Sequence, residues 1–236
     1  QNGLTLIHQN NMGTFTGPDI VDDVLVFAVD AGSTRSYPGS GTTVTSLVGS
    51  NTGTLTNGVS FNTNNGGTFD FDGTDDYINV PSYTGHQQST GTMEAWINPD
   101  TASGNHYVFG AGSSTGSTVG GTRALRALNG VWTFVTYGSA GTHDWNNAGT
   151  VATGWQHVAI GWNGTTAYFY LNGVQNSQTV SGMITPIGTL LTIGVRPWDL
   201  GADFAGEIAA VKCYSNLLTQ TQIQQNYNAQ KSRFGL

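Results

Sequence analysis

Cysteine is almost missing from this chain: Cys213 is alone among 236 residues, so no intrachain disulfide can form. Small secreted domains lean on such staples, whereas a chain of this length can build a core without them. Charge is scarce too, at 9% of residues, and tilted to the acid side, with 7 Lys and Arg against 14 Asp and Glu. No basic stripe exists to neutralise phosphates, which argues against direct nucleic-acid binding. No apolar stretch reaches the length of a membrane helix, which argues against a membrane partner. The opening "QNGLTLIHQNNMG" lacks the basic region and apolar run of a signal peptide, so the chain reads as soluble and untargeted.

Catalytic signatures are missing as well. No Gly-x-Ser-x-Gly elbow occurs, "GAGSSTGSTVGG" (110 to 121) lacks the lysine of a phosphate loop and reads as a long flexible loop, and His8, His86, His106, His143 and His157 show no paired metal spacing. His157 reads as a surface or satisfied core residue, and Cys213 in "AAVKCYS" as a buried, inert thiol.

What is abundant is glycine, at 34 residues, together with 37% hydrophobic and 11% aromatic content, enough apolar surface to fold despite a polar exterior. Apolar or alternating runs broken by Gly, Asn, Asp and Pro recur, among them "DVLVFAVDA", "GTFDFDG", "GTMEAWINP", "NHYVFGAG", "LNGVWTFVTYG", "TLLTIGVR" and "GEIAAVKCYS". They read as ten antiparallel strands in two packed sheets. "WQHVAIGWNGTTAYFYLNG" is the sharpest hairpin, turning at Asn163-Gly164, with Asn172-Gly173 closing the next strand. One helix is expected near the end, in "LLTQTQIQQNYNAQ": Thr219 as N-cap, Gln222 completing a capping box, and Ile223 with Tyr227 packing on a sheet edge. Residues 1–18, ending at Gly17-Pro18, read as an N-terminal arm and 19–236 as one domain.

Four of the fourteen acids crowd into "FDFDGTDDYINVP". Strand alternation turns Phe69 and Phe71 inward and Asp70 and Asp72 outward, and "DGTDD" reads as a turn with Gly73 free to take positive φ. A watered strand face and turn is the leading reading. A calcium site is the alternative, with Asp30, Asp72 and Asp75 as candidate ligands, although the spacing is not that of an EF-hand. A catalytic pair of carboxylates would need an apolar cleft to raise one of them, and nothing in this stretch promises one.

Among the aromatics, Trp96, Trp132, Trp155 and Trp162 fall in expected strands and read as core. Trp145 in "GTHDWNNAG" and Trp198 in "RPWDLGADF" fall in loop-like segments, each beside an acid. Asp144 with Trp145, and Arg196 with Trp198 and Asp199, are therefore the candidate carbohydrate-binding residues; the bland alternative is loop anchors and a local Arg196 to Asp199 salt bridge.

"FDGTDDYINVP", "GTMEAWINP", "GWQHVAIGWNGTTAYFYLNG" and "FAGEIAAVKCYSNLLTQTQIQQNY", in that order, resemble the LamG-like, concanavalin A-like lectin/glucanase domains over roughly residues 20 to 230. "LVFAVDAGSTRSYPGSGT" and "NYNAQKSRFGL" resemble more narrowly the versions found in tailed bacteriophage virion proteins. The resemblance implies an all-β jelly-roll sandwich of two antiparallel sheets with one short C-terminal helix. The chain departs from the family where Ser46 in "SLVGSNTGTLTNG" replaces an acid, which puts a metal site on that loop in doubt. It also lacks the Glu-x-Asp-x-Glu strand of hydrolases with this fold, since Glu94 and Glu207 are its only glutamates. The expectation is thus a non-enzymatic virion structural protein, a capsid decoration or tail or fibre surface domain displayed on the particle, with a host-glycan adhesion module as the alternative and a polysaccharide-degrading enzyme as the disfavoured third reading. Other virion proteins engaged through residues 1–18, glycans, and further copies of the chain are the candidate partners; calcium is the one candidate cofactor.

Overall fold

The computed structural model describes residues 19–112, 121–138, 141–164, 166–179 and 188–236. The first strands are β1 (Leu25–Asp30), β2 (Thr43–Thr45), β3 (Thr52–Thr56), β4 (Ser60–Asn62), β5 (Thr68–Asp72) and β6 (Tyr77–Val80). Longer strands follow: β7 (Thr90–Pro99), β8 (Asn105–Gly112), β9 (Thr122–Leu128), β10 (Val131–Gly138) and β11 (Gly141–Thr150). The last are β12 (Gln156–Asn163), β13 (Thr166–Leu171), β14 (Val174–Thr179), β15 (Leu190–Ile193) and β16 (Ala205–Tyr214), before helix α1 (Gln220–Gln230) and a 3-10 turn over Lys231–Phe234. These form two eight-stranded sheets. One runs β14-β13-β12-β7-β16-β5-β4, with β1 also paired to β16; the other runs β11-β10-β9-β8-β15-β6-β3-β2. Every pairing is antiparallel, in the jelly-roll sandwich the resemblance implies.

The core lies between the sheets because side chains alternate. Phe69 and Phe71 are buried while Asp70 and Asp72 are exposed, as the period of two requires. Phe109, Leu125, Trp132 and Phe134 meet Met93, Ile97, Val158, Ile160, Trp162 and Val211 across the interior, each large side chain contributing about 1.5–3 kcal/mol on burial. Cys213 is part of this core and free, and burial pushes its thiol up to about 12. Asn172-Gly173 makes a two-residue turn with both residues at positive φ (50° and 81°) between β13 and β14. Asn129-Gly130 does the same (50° and 87°) between β9 and β10, inside the run "LNGVWTFVTYG" that the sequence suggests is one strand.

Sixteen strands stand among the described residues where ten were expected. The extra ones include short, polar segments such as β2 and β4, which pair at the sheet margins and carry little apolar signal. The strand β11 is a further correction, since "GTHDWNNAG" pairs along β10 instead of looping. Trp145 therefore points into the core, 6% exposed. The long loop expected over 110 to 121 keeps Gly110 to Gly112 in β8; 113–120 and the arm 1–18 lie outside the described residues.

Helix α1 starts as its sequence dictates. The Thr219 hydroxyl accepts from the Gln222 amide while the Gln222 side chain accepts from the Thr219 amide, the expected capping box. It packs not on a sheet edge but on the outer face of the first sheet. Ile223 sits with Ala159, Tyr170, Tyr214 and Leu218, while Tyr227 and Phe234 stack on Trp96 at 5.6 and 4.4 Å. Arg233 fixes the end by donating to both oxygens of Asp30 at 2.9 Å.

Candidate functional site

The helix closes one outer face, and beneath it lies a buried polar knot. The Glu94 carboxylate accepts from Lys212 Nζ at 3.2 Å, Tyr214 Oη at 3.2 Å and Asn226 Nδ2 at 3.0 Å, with His157 Nε2 at 3.4 Å. Burial alone would raise this carboxyl, but the Lys212 charge, His157 and the Asn226 amide hold it down at about 2. Glu94 is fully covered, so it serves cohesion and faces no substrate. Glu207 is committed too, accepting from Thr68 Oγ1 at 2.8 Å and Asn98 Nδ2 at 3.0 Å. Neither glutamate is presented as an acid or nucleophile.

The outer face of the second sheet has no helix over it among the described residues. Cross-strand register decides which side chains share it. Arg126 on β9 lies opposite Tyr107 on β8 and Thr133 on β10, Ala124 opposite Val135, and Val135 opposite Asp144 on β11. Arg126 Nη2 donates to Asp144 Oδ2 at 3.0 Å and Nη1 to the Tyr107 hydroxyl at 3.4 Å. Asp144 thus joins this face while its neighbour Trp145 faces the core, because adjacent strand residues point opposite ways.

Residues 194–204, leaving β15, lie back over the same face. Pro197 rests on Gly110, where a β-carbon would come within 2.7 Å of its ring, and the Tyr107 amide donates to the Ala202 carbonyl at 3.0 Å. Trp198 roofs the small apolar cluster of Tyr107, Ala124 and Val135. Its ring stacks on Tyr137 at 5.1 Å, meets the edge of Tyr107 at 5.7 Å, and lies 5.2 Å from the Arg196 guanidinium. Arg196 forks onto Asp199 with two bonds of 2.6 Å. Burial would raise Asp199, but the fork and the Gly201 amide outweigh it and hold the carboxyl below its ordinary range. Leu200 and Ala202 take positive φ (55° and 59°), a conformation that costs a non-glycine residue about 1–3 kcal/mol and clusters at binding sites.

Of the sequence candidates, Asp144, Arg196, Trp198 and Asp199 therefore come together and Trp145 does not. Tyr107, Arg126 and Tyr137 were missed, because they meet Asp144 only through the register of β8, β9, β10 and β11. Also missed was Arg123, 2% exposed, which donates to the His86 and Gln88 carbonyls at 2.7 and 2.9 Å and lies over Trp162. Burial, with the Arg123 charge, pushes the His86 imidazole down to about 4.

The acidic stretch gathers Asp72, Asp75 and Asp76, whose nearest oxygens lie within 4.8 Å of one another. Asp30 is not a member; Arg233 and the Gly32 amide occupy it. Turn chemistry explains the others in part: Asp72 Oδ1 accepts from the Thr74 amide at 2.8 Å and Asp76 Oδ2 from the Asp72 amide at 3.1 Å. Burial, and then repulsion from Asp72 and Asp75, raise Asp76 against that bond. Such an oxygen set suits a hard cation such as calcium. Ser46, where the family places an acid, accepts from the Ala28 amide at 3.1 Å and ties β1 to the next segment instead.

The comparisons agree with this fold. The model of the concanavalin A-like lectin/glucanases superfamily matches residues 72–224. A search of the curated proteins finds no match. Among solved structures, the botulinum neurotoxin serotype D binding domain superimposes with a TM-score of 0.68 at 15% identity, covering 88% of this chain and 52% of that one. The binding domain of botulinum neurotoxin DC in complex with SialylT gives 0.66 at 11%, covering 88% and 51%. Domain 4 of AbnA, a GH43 extracellular arabinanase from Geobacillus stearothermophilus, in complex with arabinotriose, gives 0.69 at 17%, covering 86% and 98%. The chain spans about half the length of the toxin domains and nearly all of the arabinanase domain. The sandwich seen here and the match over most of its length together place the chain in the concanavalin A-like lectin/glucanase superfamily.

Proposed function

We propose that this chain is a non-enzymatic glycan-binding module whose site is the outer face of the β11-to-β2 sheet around Trp198. One observation carries the reading: two segments far apart in sequence bring Trp198, Tyr137 and two Arg–Asp pairs onto the face that no described helix covers. Aromatic rings offer sugar C–H faces a stacking surface, and the paired side chains offer hydroxyls both donors and acceptors. Strain at Leu200 and Ala202 is the expected mark of a preorganised binding loop. The commitment of Glu94 and Glu207 to internal bonds supports a module without turnover. The arabinotriose complex of the arabinanase domain, nearly all of which this chain covers, favours the same class of ligand.

The test is titration with an oligosaccharide panel by calorimetry. Trp198→Ala and Asp199→Ala abolish binding of the oligosaccharides that the wild type binds, at unchanged fold, whereas Trp145→Phe leaves it intact. Binding that survives both loop variants would relocate the site, and turnover of any polysaccharide would overturn the non-enzymatic reading.

Display on a phage virion is the narrower setting we propose for this module. The closing "NYNAQKSRFGL" that carries that likeness also has a structural use, since Asn226, Gln230, Arg233 and Phe234 all secure the helix to the sheet. The setting therefore rests on the upstream segment, with residues 1–18 as the proposed attachment. Deleting them should release the protein from phage particles; retention would count against it.

A further inference from the structure

Charge at this face decides what kind of glycan fits it, and resting on the glycan-binding reading, we infer that the ligand is a neutral glycan rather than a sialylated, uronate-containing or sulfated one. Recognition of an anionic sugar is strongest where a guanidinium or ammonium turns its donors outward. At this site Arg196 gives two donors to Asp199 and Arg126 gives one to Asp144, so each cation is matched by a carboxylate.

The rest of the chain supplies no substitute. Arg123 is buried against backbone carbonyls and the Trp162 ring, Lys212 is buried on Glu94 and Gln230, and Arg233 is forked onto Asp30. That leaves Arg35, in a turn before β2, and Lys231, which lies 5.5 Å from the Tyr227 ring beside the helix that covers the other sheet. Neither contributes to the Trp198 face. With a formal charge of −7 over the whole chain, an anionic glycan approaches against the protein's own field.

A neutral sugar meets a different surface. Asp199, with 46% of its side chain exposed, accepts from hydroxyls, and the Arg196 nitrogen not used by Asp199 donates to a hydroxyl oxygen. The partly buried rings of Trp198 and Tyr137, on the sides not turned to each other, take the apolar face of the pyranose or furanose ring. Affinity built this way carries little ionic component and responds weakly to salt.

The experiment presents the whole chain with matched probes: neutral arabino-, gluco-, galacto- and manno-oligosaccharides, and sialylated, oligogalacturonate and sulfated counterparts, each at low and high salt. The wild type should bind neutral members at least roughly tenfold more tightly than acidic ones, with little change on adding salt. The doubly unmasked variant Asp144→Asn/Asp199→Asn removes the carboxylate charges that balance the two guanidinium groups and should gain salt-sensitive binding of acidic members; its melting temperature is measured in parallel, and Asp199→Asn alone serves if the double variant does not fold. Preferential wild-type binding of acidic glycans, or unmasked variants that gain nothing, would overturn the neutral-ligand inference and leave the glycan-binding reading standing. Failure of the wild type to bind any member would bring down that reading and this inference with it.

Discussion

Replacing Lys212 with Met should cost the fold about 3–5 kcal/mol, because it leaves the Glu94 carboxylate buried without its cation. Glu94 is fully covered and Lys212 4% exposed, so water cannot step in for the lost partner, and methionine fills the aliphatic volume without the charge. The double variant Glu94→Gln/Lys212→Met removes the stranded charge and should recover about 1–3 kcal/mol relative to the sum of the single losses. Acid adds a second signature. The folded carboxyl titrates at about 2 against 4.5 for the free group, so its contribution, about 3 kcal/mol, is complete above the unfolded value and is lost as pH falls through the folded one. In Lys212→Met the carboxyl loses the charge that holds it down, and acidification over that window should no longer cost stability. Urea unfolding at a series of pH values measures both effects. A Lys212→Met loss below about 1 kcal/mol, typical of exposed ion pairs, or an unchanged acid limb in that variant, would refute the reasoning.

The other expectations are smaller. Thr219→Ala removes half of the capping box and should lower stability by about 1 kcal/mol in the same assay. Ala202→Gly relieves a positive φ and should raise the melting temperature, by about 1 kcal/mol in stability, while weakening glycan affinity as the loop loosens; no gain in stability would mean that the loop is unstrained. Cys213, buried with its thiol pushed up to about 12, should resist alkylation at mildly alkaline pH until denaturant is added. If Asp72, Asp75 and Asp76 do turn chemistry alone, chelator leaves the melting temperature unchanged; a rise with calcium that disappears in Asp75→Asn would make them metal ligands.

The parts of the fold that show in the sequence are those with local causes. Thr219 and Gln222 announce the helix through a bond they make with each other, and Asn172-Gly173 announces a turn because few other pairs accept two positive φ values. Phe69 and Phe71 reveal their side of β5 by alternation. Strand β11 hides because its buried set among the described side chains is little more than Trp145 and Ala148, so no alternating apolar pattern rises above its polar residues. That error placed Asp144 and Trp145 in one site, although strand geometry sends them to opposite faces. The remaining site residues depend on register between strands: Tyr107, Arg126 and Asp144 meet only because β8, β9, β10 and β11 lie side by side. The Glu94 knot is equally nonlocal, with Lys212 118 residues away, yet a lysine inside the apolar run "IAAVKCY" was a hint that a buried carboxylate awaited it.

The site is tested most directly by the six tryptophan indole N–H resonances in two-dimensional NMR during titration with a neutral oligosaccharide. Binding at the outer face moves the Trp198 resonance with saturation and leaves those of Trp145, Trp132 and Trp162, which lie in the core, in place. A titration that shifts other tryptophans while Trp198 stays still would contradict a glycan site at this face.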